Sequence, residues 1–313
     1  MMKKTVKFTA LLLALCVCVS AFASCGSTQD DGGVSVVTTI FASYDFARAV
    51  AGENASVKML VSPGADIHSY DPSPKDILAV SKCDVFIYVG GASDVWVDEI
   101  LASANNPDMK IIKLMDHTQG LICSDHEHGE GGRGHGHEEY DEHVWTSPRN
   151  AMLACEAIAG ALIEADAEHA DAYRSNLEEY KEALTALDAE IAKTVSEAKR
   201  KLIVFGDRFP LIYFTSAYGI EYESAFPGCS GETEPDAATV AKLIKLVKDE
   251  NIPTVFYLAL STGNIADTIC EATGAKKTAF NACQNVSKTD FENGVTYLEL
   301  MQKNAEVLKA ALN

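Results

Sequence analysis

Short apolar runs alternate with amphipathic segments along the chain from Val34 to its end. The apolar runs have the length of strands and are rich in Val, Ile, Phe and Tyr, whereas the segments between them carry apolar residues at three- and four-residue steps. This alternation predicts parallel α/β layers. The predicted strands are 34–41, 57–62, 83–90, 110–115, 201–206, 254–260 and 276–280.

Several predicted helices begin at residues that cap helices well. Ser43 precedes one of them, and two Ser-Pro pairs, at 73–74 and 147–148, put proline at the first helical position. The second of these helices is expected to run through Ala165. Further helices are predicted at 236–249, 263–273 and 287–312, the last with a capping-box sequence that starts at Ser287.

The most regular amphipathic segment lies near the middle of the chain, at 166–200. A helix of this length would measure about 50 Å, because each residue adds 1.5 Å. It is therefore interpreted as a helix that joins an N-terminal α/β lobe, 34–165, to a C-terminal α/β lobe, 201–313. An ordinary surface helix of one large domain is the alternative. The predicted core positions of the segment 166–200 are Leu177, Tyr180, Leu184, Leu187, Ile191 and Val195.

The first 24 residues are typical of a secretory signal, since three lysines precede an apolar run that contains no acidic residue. Small residues before Cys25 resemble a bacterial lipobox, so Cys25 is the predicted lipidation site and 25–33 the flexible tether behind it. We therefore expect an exported protein on the outer face of the bacterial cytoplasmic membrane, or in the periplasm.

The charge of the chain excludes one class of partner. The formal net charge is −19, and removal of 1–24 takes away three lysines and no acid, which gives −22. A chain this acidic is not expected to bind nucleic acid. Six cysteines remain after Cys25, and six allow fifteen complete disulfide connectivities.

Histidine is concentrated in one part of the sequence. Five of the eight histidines lie between His126 and His143, among Gly, Asp and Glu. Imidazole and carboxylate are preferred zinc ligands, so the segment 125–143 is predicted to collect metal ions; a solvated loop is the alternative. The histidines predicted as accessory ligands are His126, His128, His135 and His137.

Two histidines stand in longer motifs, each on a loop that leads into a Ser-Pro helix start. These are GADIHSYDPSPKD (64–76), which contains His68, and DEHVWTSP (141–148), which contains His143. Loops that follow parallel strands lie at the edge where such sheets bind ligands.

Both motifs resemble those of the zinc/manganese-type solute-binding proteins of ABC transporters. The first is similar to G-x-D-P-H-x-Y-E-P-S-P-x-D, with Ile67 and Asp71 as departures, and the second to D-P-H-V-W-x-D-P, with departures at Glu142 and Ser147. The resemblance covers nearly the whole exported chain, and an acidic His-rich loop before the second histidine is typical of the zinc-type members.

This resemblance implies two lobes, each with a mainly parallel sheet flanked by helices, joined by one long helix. It implies that His68 and His143 hold one metal ion in the cleft between the lobes. At the family's third ligand position stands Arg208, which cannot ligate, so Asp207 is the candidate there, with a cap or a salt bridge as the alternative. The fourth position falls on Gln284, with Glu232 and Glu234 as reserve donors.

The resemblance also implies a disulfide between Cys229 and Cys283, with zinc thiolate ligation as the competing interpretation. It implies a monomeric receptor, not an enzyme, that captures Zn²⁺ and delivers it to a membrane permease with its ATPase. Three alternatives stay open: a Mn²⁺ or Fe²⁺ receptor of the same fold, an exported zinc hydrolase with Glu142 as base, and a metal-binding surface adhesin.

Overall fold

Two sheets of four parallel strands form the frame of the protein. A computed structural model describes residues 33–123, 140–226 and 236–313. The first sheet has the order β2-β1-β3-β4 and the second the order β6-β5-β7-β8. Their strands are β1 Val34–Thr38, β2 Ala55–Met59, β3 Val85–Tyr88, β4 Lys110–Lys113, β5 Leu202–Phe205, β6 Glu221–Ser224, β7 Thr254–Leu258 and β8 Lys276–Phe280.

Helices connect the strands, as parallel pairing requires. They are α1 Phe41–Ala51, α2 Pro74–Lys82, α3 Val97–Ser103, α4 Pro148–Ala165, α5 Ala170–Ser196, α6 Ile212–Tyr218, α7 Ala237–Asp249, α8 Asn264–Thr273, α9 Lys288–Glu292 and α10 Tyr297–Leu312. Within these described ranges, no helix combines the length and the apolar character that crossing a membrane requires.

The long helix α5 is shared between the two halves of the fold. It packs against α1 and α4 of the first half and against α10 of the second. Leu184 and Ile191 on its apolar face are fully buried. The largest hydrophobic cluster accordingly contains residues of both sheets, such as Val85 and Phe205. The predicted fold class is confirmed; the lobe boundaries at 165 and 200 stay a prediction.

Most predicted elements are present, and the differences have local causes. The first helix starts at Phe41, two residues before Ser43, whose hydroxyl donates to Ile40 O at 3.0 Å inside the first turn. The segment 287–312 contains two helices, because Gly294 has a φ of +73° and Thr296 starts a new capping box. Strand β6 was not predicted, since its sequence EYES is polar and it lies at a sheet edge.

Several predicted features lie outside the described residues. They are the signal segment 1–24, the lipidation site Cys25 with nearly all of its tether, the accessory ligands His126, His128, His135 and His137, the reserve donors Glu232 and Glu234, and Cys229.

A buried carboxylate joins three helices in the main core. Asp45 on α1 is 3% exposed. Its Oδ2 accepts the backbone N–H of Tyr297 at 2.8 Å, at the start of α10, and the hydroxyl of Tyr180 on α5 at 3.4 Å. Burial raises the pKa of Asp45, although the Tyr297 N–H and the Arg48 guanidinium act in the opposite direction.

We predict that Asp45→Asn changes how stability depends on pH. Because the folded-state pKa of Asp45 is raised, the contribution of this group to the parent's stability is fully present below its unfolded-state pKa. The contribution is lost as the pH rises through the folded-state pKa. Asparagine keeps an acceptor for Tyr297 and does not ionise. The difference in free energy of unfolding, variant minus parent, should therefore shift in the variant's favour as the pH rises above about 4, the ordinary pKa of an aspartate.

Urea unfolding across this pH range measures the effect. Asp171→Asn is the matched control, because the Asp171 side chain is fully exposed and pairs only with Arg174 on the surface. A difference in free energy of unfolding between Asp45→Asn and the parent that stays constant with pH would contradict the prediction.

Candidate metal centre

His68 lies on the loop between β2 and α2, beside the loop that follows β3. Its Nδ1 is 2.8 Å from the Oγ of Ser93, and that hydroxyl donates its only proton to Oε1 of Glu142. The Ser93 oxygen must therefore accept a proton from Nδ1 of His68. When Nδ1 donates in this way, the neutral form of the ring has its lone pair on Nε2, which is the form that binds a metal ion.

His143 is held in the same tautomer by a different group. Oδ1 of Asp141 accepts from the backbone N–H of His143 at 2.9 Å and from its Nδ1 at 3.0 Å. Burial disfavours the ionised form of Asp141, but the hydrogen bonds from the His143 ring and its backbone N–H outweigh it and hold the pKa of this carboxyl below its usual value. A carboxylate behind Nδ1 orients the ring and makes Nε2 a stronger donor.

Glu142 completes a cluster of three possible ligands. It is 6% exposed, and Ser93 holds both of its oxygens, through the backbone N–H at 2.8 Å and through the hydroxyl. One ligand atom from each of His68, Glu142 and His143 lies within 4.8 Å of the others. Two donors on one zinc ion lie at most about 4.2 Å apart, because each bond is about 2.1 Å long. Oε1 of Glu142 lies 3.5 Å from Nδ1 of His68, so its carboxylate would have to turn to contact an ion held by the two Nε2 atoms.

The backbone around the cluster leaves room for these side chains. Gly91 packs against Glu142 so closely that a Cβ at position 91 would overlap the glutamate side chain. Trp145, 1% exposed, lies against the His143 ring with 5.2 Å between ring centroids. The indole donates to Ala282 O at 2.8 Å, which ties the His143 loop to the second half of the fold.

The other two predicted ligands, Asp207 and Gln284, line a cleft whose walls include none of the three cluster residues. The cleft has a volume of about 490 Å³, and its walls include Asp66, Asp207, Arg208 and Gln284. Asp207 accepts from the N–H groups of Arg208 at 2.8 Å and Leu258 at 3.1 Å, and from the Ser261 hydroxyl. These bonds fit the capping role that the sequence left open. Gln284 Oε1 is buried and has no hydrogen-bond partner among the described residues.

The model of the family ZnuA, described as zinc-uptake complex component A, periplasmic, matches residues 36–311. The chain belongs to this family.

Its relatives include proteins named for zinc binding and zinc uptake. The zinc-binding lipoprotein AdcA of Streptococcus pneumoniae is 30% identical over 311 residues, which are 97% of this chain and 60% of AdcA, so the chain spans about three fifths of that relative. The high-affinity zinc uptake system protein ZnuA of Bacillus subtilis is 27% identical, with 96% of this chain and 97% of that protein covered.

A solved structure agrees with the fold. The Zn(II)-bound ZnuA-like domain of Streptococcus pneumoniae AdcA superposes with a TM-score of 0.73 at 28% identity, with 90% of this chain and 99% of that domain covered. The family that the two histidine motifs predicted is thus confirmed.

The predicted disulfide of this ZnuA family member is not supported. Cys283 is a free thiol, and Cys229 lies outside the described residues. Cys283 is 2% exposed and belongs to the main hydrophobic cluster. Burial also raises the pKa of its thiol. The expectation came from the family and from the position of Cys283 in a loop, and a loop position does not reveal that a side chain faces the core.

Glu142 and Ser93 were missed as parts of the metal centre. The sequence suggested Glu142 only as the base of a hydrolase, although its position beside His143 was a usable signal. Ser93 is 49 positions from Glu142 and 25 from His68. No local pattern could have connected it with either residue.

We predict that Gly91→Ala weakens Zn²⁺ binding, because the new methyl group would displace Glu142 and with it the Ser93 hydroxyl that orients His68. The control is Gly160→Ala on α4, where a Cβ meets no atom within 4 Å. That change should leave zinc affinity alone and stabilise the helix by about 0.5–1 kcal/mol. Zinc competition titration and thermal unfolding of both variants measure the effects. Unchanged affinity in Gly91→Ala would contradict the packing argument.

Proposed function

We propose that this protein is the Zn²⁺ receptor of an ABC-type uptake system. The observation that carries the proposal is the cluster of His68, His143 and Glu142, in which Ser93 and Asp141 leave both imidazoles with a lone pair on Nε2. Its function is binding and release, which requires donors in a fixed geometry. Membership of the ZnuA family and the zinc-binding names of AdcA and ZnuA support it.

The donor set suits zinc. Two imidazole nitrogens and one carboxylate oxygen are typical protein ligands of Zn²⁺, whereas Mn²⁺ is better served by a shell of oxygens. We propose Glu142 as the third ligand. The fourth is Gln284, whose buried Oε1 lacks a hydrogen-bond partner in the described ranges, or a water molecule. Asp207, engaged by Ser261 and two backbone N–H groups, remains the alternative third ligand.

Delivery of the ion follows from the proposed class of protein. The receptor hands Zn²⁺ to a membrane permease that is driven by an ATPase on the inner side. A lipid on Cys25 holds the protein, as a monomer, at the outer face of the membrane. The acidic chain, with a formal charge of −22 once 1–24 is removed, favours the approach of a divalent cation.

We predict that the double variant His68→Ala/His143→Ala loses one tight zinc equivalent. Calorimetric titration of metal-stripped 26–313 with Zn²⁺ and then Mn²⁺ measures the loss and the preference between the two ions. His117→Ala/His169→Ala is the matched control, since both residues lie outside the cluster. Equal zinc affinity in the double variant and the parent would refute the site, and tighter Mn²⁺ binding would favour the manganese receptor.

The His-rich segment is proposed to raise the local zinc concentration through weak, exchangeable sites. Deletion of 125–138 should therefore remove weak zinc equivalents and preserve the tight one. The same titration distinguishes the two classes of site. Loss of the tight zinc equivalent on deletion would mean that the principal site lies in the deleted segment.

The surface adhesin and the hydrolase stay alternatives from the sequence. The hydrolase needs a base that can reach a metal-bound water. Both carboxylate oxygens of Glu142 accept hydrogen bonds from Ser93, and one of these bonds would have to open for Glu142 to act as that base.

A further inference from the structure

The loop that carries His68 begins with a tight turn. Ser62 O accepts the N–H of Ala65 at 3.0 Å, and Gly64 has a φ of +81°. Proline at position 63 and a glycine with positive φ after it are the residues that a type II turn requires. Two residues further, Oδ1 of Asp66 accepts the N–H of His68 at 3.0 Å. The direction of the turn therefore determines where His68 lies.

Asn285, from the other half of the fold, holds this turn. Its Nδ2 donates to Ser62 O at 2.9 Å and to Ala65 O at 2.8 Å, the carbonyls at the two ends of the turn. Its Oδ1 accepts the N–H of Val286 at 2.8 Å. Val286 O in turn accepts the N–H of Gly64 at 2.8 Å. Asn285 is 5% exposed, so these bonds are shielded from water.

We propose that Asn285 is a positioning residue for the zinc site. Its side-chain hydrogen bonds go to the turn 62–65 and to Val286. It acts through the turn, which it fixes in the orientation that brings His68 to Ser93 and Glu142. The zinc part of this inference rests on the proposed function. Groups that orient metal ligands from behind typically change metal affinity by about 10- to 100-fold when they are removed.

An asparagine in the same part of the fold provides a matched control. Asn304 on α10 is fully buried, and its Nδ2 donates to Asn281 O at 2.8 Å while its Oδ1 accepts the Asn281 N–H at 2.8 Å. It thus binds the backbone of the same connecting segment with the same chemistry. Its contacts stay within the second half of the fold, so a substitution of Asn304 tests the effect of lower stability alone.

The test compares Asn285→Asp with Asn304→Asp. Each change is isosteric, keeps the Oδ1 acceptor and replaces the amide donor by a carboxylate oxygen. Asn285→Asp should weaken zinc binding by about 10-fold or more and alter the visible spectrum of bound Co²⁺. Asn304→Asp should lower thermal stability while zinc affinity and the Co²⁺ spectrum stay those of the parent. Asn285→Ala removes the donors without adding charge and serves if Asn285→Asp does not fold.

Hydrogen exchange of the metal-free proteins tests the turn without zinc. The amides of residues 64–68 should exchange faster in Asn285→Asp than in the parent, and at the parent's rate in Asn304→Asp. Parent-like exchange in the Asn285 variants, or equal loss of zinc affinity in the Asn285 and Asn304 variants, would overturn the proposal. A parent that binds no zinc tightly would refute the proposed function instead, and the exchange experiment would still decide the role of Asn285.

Discussion

The candidate metal centre depends on the hydrogen bonds of one short segment, 282–286, which follows β8. Backbone polar groups buried away from water must find partners, and here those partners belong to the first half of the fold. Ala282 O accepts from the Trp145 indole, Gln284 O from the N–H of Phe41, and Val286 O from the N–H of Gly64. A φ of +56° at Cys283 directs the segment toward these groups. The first half supplies the histidines, and the second half fixes where their loops can lie.

A second series of contacts stabilises the same arrangement from the core side. Tyr297, at the start of α10, donates its hydroxyl to Trp145 O and its backbone N–H to Asp45, both at 2.8 Å. Asp45 thereby joins α1 to the beginning of α10, and Trp145 lies next to the His143 ring. Burial of an ionised carboxylate is unfavourable unless it is hydrogen-bonded. Burial of the Asp45 carboxylate is therefore unfavourable locally, but its hydrogen bonds connect helices that come from opposite ends of the chain.

Elements that depend on local sequence were predicted accurately. Strand β8 and the helix Pro148–Ala165 have the predicted bounds. The helix has a local signal in its Ser-Pro start. The capping start at Ser287 is also correct. Helix α5 is shorter than predicted because Asp166 caps a separate turn at 167–169 before Ala170. The helix break at Gly294 was not predicted because it depends on the backbone conformation there. Strand β6 was not predicted because its place at a sheet edge permits a polar sequence.

In the candidate site, too, some features have a local sequence signal and others do not. The motifs identify His68 and His143 because each histidine is embedded in a distinctive loop sequence. Which nitrogen binds, and what supports it, depends on residues that are distant in sequence. Ser93 determines the tautomer of His68, and Asn285 holds its turn from more than 200 positions away. Sequence distance hides such partners, since a hydroxyl or an amide in a loop is compatible with many roles.

The charges of the proposed site bear on how it could release an ion. Two neutral imidazoles and the single carboxylate of Glu142 would leave a bound Zn²⁺ with one uncompensated positive charge, and Arg208 in the neighbouring cleft cannot reduce it. Asp141 offsets part of this charge from behind His143, where it does not contact the ion. Such a site holds zinc through the geometry of its loops as much as through charge. A change at the turn 62–65 or at the Ser93 loop would then be enough to weaken binding while the two sheets and α5 stay in place.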